Sequence, residues 1–171
     1  MIKFFNSLLV TMFGLGKIKF IPGTLGSFAT IIILYCLFHV FNYPPNLILI
    51  GLIIIFIYSF YAVSSYIEYN KDKDPGEIII DEFLGQSIPI YLYEISHGTT
   101  KDGVEVFIYY GLFFILFRYF DIMKPFPVSF FDKNFKNSFG VIMDDIFAGF
   151  YVVLTLVCFM IIKNYILECN I

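Results

Sequence analysis

Charge is what this chain has least of. Charged residues make up 15% of it, against about 25% in an ordinary soluble domain. Too little polar side chain remains to coat a water-facing surface, which argues against a soluble globule and for a surface that meets lipid. Histidine is almost missing as well. His39 and His97 are isolated and flank no nucleophile, which removes Ser/His and phosphohistidine schemes. Cys36, Cys158 and Cys169 are scattered and form no C-x-x-C, so neither a zinc knuckle nor a disulfide framework is supported, and buried inert thiols are expected. A net charge of −3 with no basic stripe excludes nucleic acid as a partner. No Gly-Lys-Ser/Thr phosphate loop and no Cys-x5-Arg phosphatase loop occurs, and no nucleotide cofactor is expected.

What is present is apolar. Hydrophobic residues reach 59% and the mean hydropathy is +0.82. At 171 residues the chain is read as a single domain over 1–171. Residues 25–41 and 47–67 are about 17 and 21 residues long, enough to cross a hydrocarbon core of roughly 30 Å. Two further spans are expected over residues 104–120 and 141–162. Residues 83–95 are apolar too, but about 13 residues reach only about 20 Å as a helix, and Pro89 interrupts them. That stretch is expected to be short, tilted or partly re-entrant. The fold expected is therefore all-α: a multi-pass membrane helical bundle of four to five segments, one of them short or re-entrant.

Lysines set the expected orientation. Lys3, Lys17 and Lys19 precede the first span and place the N-terminus in the cytoplasm. Residues 4–15 have the outline of a signal peptide but no small-x-small cleavage site, so an interfacial first helix that stays in the protein is expected. If residues 83–95 cross, the loop bearing Lys124, Lys133 and Lys136 returns to the cytoplasm, and the loop at 97–102 is external. The same five-segment arrangement brings every polar motif to one face, the cytoplasmic one. Lys17 and Lys19 can hold an anionic headgroup or only set this topology.

Those polar motifs sit at the edges of the apolar segments. Asp81-Glu82 and Asp144-Asp145 are acid pairs, each followed by small residues, Gly85 and Ala148-Gly149. Gly76 and Gly140 each precede an apolar triplet and an acid pair, a weak sign of internal duplication. Adjacent residues diverge by about 100° on a helix, so one acid of each pair is expected to reach a shared point directly. The alternative is that the acids merely cap helix N-termini. Arg118, Asp121 and Lys124 follow at i, i+3 and i+6 along one side of a helix that Pro125 ends. Asp121 can join a metal site while Arg118 or Lys124 binds phosphate, or the three can form an interfacial salt bridge. Carboxylates without His or Cys suit a hard cation, Mg2+ before Ca2+ or Mn2+, and Mg2+ sites are commonly completed by substrate phosphate. In Pro22-Gly23-Thr24-Leu25-Gly26-Ser27, proline opens a helix whose first-turn N–H groups, with the Thr24 and Ser27 hydroxyls, can cradle an anion.

Four strings resemble the phosphatidylglycerophosphatase A family of bacterial membrane phosphatases. They are Pro22-Gly23-Thr24-Leu25-Gly26-Ser27, Asp81-Glu82-Phe83-Leu84-Gly85, the run from Phe117 through Arg118, Asp121, Lys124 and Pro125 to Pro127, and the run from Gly140 through Asp144-Asp145 to Gly149. They occur in family order over residues 14–150. The resemblance implies a Mg2+-dependent hydrolase in the bacterial inner membrane, its active site facing the cytoplasm. Its substrate would be the membrane phospholipid phosphatidylglycerophosphate, and its products phosphatidylglycerol and phosphate. Asp81, Glu82, Asp121, Asp144 and Asp145 would bind metal and act in catalysis, and Thr24, Ser27, Arg118 and Lys124 would bind substrate. A cation carrier whose acids line a path is the rival reading, followed by a lipid phosphotransferase, although no D-x2-D-G-x2-A-R string is present.

Overall fold

A computed structural model describes residues 2–70, 76–97 and 103–169. Seven α-helices account for most of them: α1 (Ile2–Val10), α2 (Pro22–Tyr35), α3 (Pro45–Asn70), α4 (Ile80–His97), α5 (Gly103–Met123), α6 (Val128–Asn134) and α7 (Ser138–Cys169). A π-turn, Cys36–Val40, extends α2. No strand occurs among the described residues. Asp72-Lys73-Asp74, Lys71 and the loop lysine Lys101 lie outside the described residues.

Four helical segments are long and apolar enough to cross a membrane: Pro22–Val40, Pro45–Tyr69, Gly103–Met123 and Ser138–Ile162. They cover all four long runs read from hydropathy. Ile32, Ile54, Ile57, Phe107, Ile115 and Leu154 on these helices are each at least 50% exposed. Side chains of this kind are stable in such numbers on an outer surface only against hydrocarbon. The protein is a helical membrane bundle. Cys158, expected to be buried, is on this exposed surface, and Cys36 is half-buried. Hydropathy marks both as apolar but does not say which side of a helix faces lipid.

The short segment proves to be the inner helix. α4 has 18 residues, of which 12 are buried, and at 1.5 Å per residue it is about 27 Å long. Hydropathy stops it short because its ends are polar: Asp81 and Glu82 lie in the first turn and His97 in the last. Pro89 does not break it. Ile90, Tyr91 and Tyr93 near its end pack with Leu34 and Phe38 from the end of the first span and with Val106 and Tyr110 from the start of α5. Phe83 and Leu84 near its beginning pack with Val10, Val63 and Ile142. α4 therefore runs the depth of the bundle beside α2. At its far end the buried Glu94 accepts a hydrogen bond from Tyr110 at 3.0 Å and lies 3.3 Å from His39 Nε2.

The most extensive helix–helix contact in the bundle is between α4 and α7. A Cβ on Gly85 would collide with the Asp145 carbonyl, and one on Gly149 would collide with the Gly85 carbonyl. Matching positions advance together along both helices, so the two run in the same direction. Pro89 supplies no N–H to the Gly85 carbonyl four residues earlier, which leaves that oxygen open to the approach of Gly149. The N-terminal arm packs chiefly against α3, and Val10 at its end joins Phe83, Leu84 and Ile142. α1 buries Asn6 and Val10 and leaves Ile2, Phe4 and Phe5 at least 59% exposed, the two-sided character expected of an interfacial helix.

Gly85→Val is expected to destabilise the bundle by about 1–3 kcal/mol through overpacking. Gly111→Ala, where an added Cβ meets nothing within 4 Å, is expected to be neutral or slightly stabilising. Thermal unfolding of both variants in detergent checks the contrast.

Candidate active site

Four elements converge on a cavity of about 470 Å3 at one end of the bundle. The first turn of α2 brings Pro22, Gly23 and Thr24, and the first turn of α4 brings Asp81 and Glu82. Arg118 and Asp121 come from the last turns of α5, and Asp144 and Asp145 from the second and third turns of α7. All five sequence-identified acids therefore line one space, as do Thr24, Arg118 and Lys124.

Ser27 does not line it. It is fully buried, and its hydroxyl donates to the Gly23 carbonyl at 3.0 Å, one turn back in α2. The phosphate-cradle motif therefore divides: its first three residues face the cavity, and Ser27 serves the helix interior. Asp132, Phe135 and Lys136 also line the cavity and were not anticipated. They belong to α6 and the turn after it, where no periodic pattern points to a site.

The acids have unequal neighbours. Oxygens of Asp81, Glu82 and Asp145 lie within 4.8 Å of one another. Both members of the first pair thus reach one point, because Glu82 is a methylene longer than Asp81 and offsets its different helical angle. Glu82 Oε2 is buried with no hydrogen-bond partner. Asp121 Oδ2 is 2.7 Å from Arg118 Nη1, and Asp144 Oδ2 is 3.0 Å from Lys124 Nζ. The two pairs share one local device, in which the first acid accepts from the N–H of the second: Glu82 N to Asp81 Oδ1 at 3.1 Å, and Asp145 N to Asp144 Oδ1 at 3.0 Å. Capping accounts for at most one pair. Asp81 and Glu82 are in a first turn, but α7 begins at Ser138, so Asp144 and Asp145 lie beyond the reach of its unpaired N–H groups.

Lys124 departs from the expected helical spacing. α5 ends at Met123, and Lys124 follows in a left-handed conformation with φ 44°. That reversal, before Pro125, lets its ammonium bridge Asp132 at 2.6 Å and Asp144 at 3.0 Å. Burial works to lower the Lys124 pKa, but the Asp132 hydrogen bond and the charge and hydrogen bond of Asp144 outweigh it, and the value is raised. Gly23 makes room for the rest. A Cβ there would collide with Glu82 Oε1 and come within 3.1 Å of Arg118 Nη1.

Six carboxylates and three cations line the cavity. Such an excess of negative charge, held partly out of water, calls for a cation. The all-oxygen donor set and the unpartnered Glu82 Oε2 fit a hard divalent ion held by Asp81, Glu82 and Asp145. Phosphate fits the groups beside these acids. The Gly23 and Thr24 N–H groups have no partner within the first turn of a helix, and Arg118 Nε is buried without a hydrogen-bond partner.

Residues 8–160 match the family model described as Phosphatidylglycerophosphatase A. The chain belongs to that family. It is 34% identical to Phosphatidylglycerophosphatase A of Haemophilus influenzae, over 86% of this chain and 83% of that protein. It is 30% identical to the Escherichia coli protein of the same name, over 83% of this chain and 76% of that one. A Bacteroides thetaiotaomicron protein provisionally named a phosphatidylinositol-3-phosphatase is 32% identical, over 87% of this chain and 89% of its own. No solved structure matches the chain significantly. The chain is a phosphatase of lipid metabolism, and the membership carried by its four motifs is borne out.

The raised Lys124 pKa has a definite sign. Its stabilising contribution is fully present below the ordinary lysine value of 10.5 and is lost only as pH climbs through the higher folded value. No alkaline decline in stability or rate below about pH 10 is therefore expected from Lys124. Lys124→Ala is expected to lower kcat about 100-fold, with Lys124→Arg recovering part of the loss, measured as phosphate release across pH 6–10.

Proposed function

We propose that this protein hydrolyses phosphatidylglycerophosphate to phosphatidylglycerol and inorganic phosphate in a Mg2+-dependent reaction, at the cytoplasmic face of the bacterial inner membrane. The observation that carries the reading is the meeting, in one cavity, of three carboxylates within 4.8 Å of one another with Arg118 and the first turn of α2. Family membership supplies the reaction class. The Haemophilus and Escherichia relatives are named for phosphatidylglycerophosphate, which favours that lipid.

Asp81, Glu82 and Asp145 would hold the ion, with Asp121 and Asp144 adjoining them and tied to Arg118 and Lys124. When bound, Mg2+ supplies Lewis-acid polarisation of the phosphoryl group and neutralises negative charge in the cavity. The Gly23 and Thr24 N–H groups, the Thr24 hydroxyl and Arg118 orient the phosphoryl oxygens. Lys124 stabilises charge as the ester bond breaks. Its raised pKa makes it a poor proton donor, so its contribution is electrostatic. Two routes replace the P–O bond to the lipid. Water attacks phosphorus directly, or an aspartate attacks first and water then hydrolyses the acyl phosphate. Hydroxylamine distinguishes them, since a trapped hydroxamate requires the second route.

A cation carrier would spread acids through the depth of the bundle, whereas the motif acids collect around one cavity at one end. The decisive assay is phosphate release from phosphatidylglycerophosphate in mixed micelles, with and without Mg2+, beside phosphatidylinositol 3-phosphate as competing substrate. Release that needs the metal and falls by at least about 1000-fold in Asp145→Asn is expected. Equal turnover of the inositol lipid would redirect the substrate assignment, and full activity in chelator would overturn the metal role.

A further inference from the structure

A second cavity, of about 370 Å3, opens between α1 and α3. It backs onto the first: Glu77 lines it, whereas the flanking Gly76 and Ile78 line the active-site cavity. Lys3, Asn6, Ser7 and Lys17 form its polar wall. Nothing in the reaction described above uses them.

Asn6 is the informative residue. It is 1% exposed, and its Oδ1 accepts a hydrogen bond from the Tyr58 hydroxyl at 2.7 Å. That bond uses one end of the amide, and the other, Nδ2, is buried and has no partner. A buried donor in that state is unfavourable until an acceptor arrives. Lys17 is exposed and, among the described residues, makes no ion pair. Lys3 lies 5.0 Å from the centre of the Tyr69 ring. The carboxylate of the cavity, Glu77, accepts a hydrogen bond from Tyr66 at 2.6 Å. Two ammonium groups and one carboxylate leave a single positive charge, the complement of a phosphodiester. The rim adds the second half of the ligand. Phe4 lines the cavity yet is 70% exposed, beside the exposed Ile2 and Phe5 of α1. Acyl chains would lie on this apolar lip.

We propose that this cavity binds the headgroup phosphodiester of a membrane phospholipid, separately from the substrate. Lys3 and Lys17 face the non-bridging oxygens, the Asn6 amide and Ser7 hydroxyl donate to them, and Phe4 carries the adjoining acyl chain. The assignment does not depend on the reaction proposed for the first cavity.

Native mass spectrometry of the full-length, delipidated protein tests it. The protein carries Arg118→Ala and Lys124→Ala, so that the first cavity loses two of its three cations. Dioleoylphosphatidylglycerol is the probe, with dioleoylglycerol and inorganic phosphate as comparisons. One tightly held phosphatidylglycerol is expected, weakened about tenfold by adding Lys17→Ala or Asn6→Leu and retained with Lys17→Arg. If Asn6→Leu does not fold, Lys17→Ala, at an exposed position, carries the test. Unchanged affinity in Lys17→Ala overturns the proposal, as does equal binding of dioleoylglycerol. Displacement of the lipid by inorganic phosphate at comparable concentration would make free phosphate the ligand and overturn the lipid assignment.

Discussion

The close passage of α4 against α7 is the constraint on which the site depends. Two glycines, Gly85 and Gly149, let the backbones meet where any side chain would force them apart. In hydrocarbon, association cannot draw on the hydrophobic effect, because lipid tails are as apolar as leucine. Packing and polar contacts must supply it. Small residues convert that requirement into short range. Once Gly85 lies on the Asp145 backbone, Asp81 and Glu82, about one turn earlier on α4, stand beside the Asp145 side chain. The convergence of these three carboxylates is thus a by-product of how two helices are allowed to touch.

Electrostatics then divides the acids by their neighbours. Asp121 has Arg118 and Asp144 has Lys124, each in a short ion pair. Asp81, Glu82 and Asp145 have chiefly one another. Three carboxylates converging away from bulk water repel, and each has lost hydration, so the arrangement is poised for a multivalent cation. The backbone contributes at two irregular points. Ile21 is left-handed just before Pro22 starts α2, and Lys124 is left-handed just after α5 ends. Non-glycine residues adopt that conformation at a cost and collect at functional sites. Here both turn a helix terminus toward the same cavity.

Much of this was legible in the sequence, and the misses have physical causes. The four long spans were readable because apolar length is what a bilayer demands. The candidate acids were readable because carboxylates beside hydrocarbon need a reason. α4 was underestimated because hydropathy discounts Asp81, Glu82 and His97, the residues that make its ends, and because proline was read as an interruption. Ser27 lies off the cavity because a hydroxyl in a helix can turn back to the carbonyl four residues earlier, which sequence does not announce. Asp132 and Lys136 were missed because they belong to a short helix and turn with no periodic signature. Of the second pair only Asp145 joins the group of three oxygens, whereas both Asp81 and Glu82 do, the longer Glu82 side chain offsetting the helical angle.

The burial of α4 has a consequence for biosynthesis. This helix carries Asp81, Glu82, Gln86 and Glu94 and is the least suited of the long helices to sit in lipid by itself. Its closest partner, α7, is made some forty residues after α4 ends, so during synthesis the inner helix must wait for the outer one. A chain interrupted before α7 lacks Asp145 and the glycine contact together, and so cannot bring the three carboxylates together. The three-carboxylate cluster therefore assembles only after α7 has been made and has docked on α4.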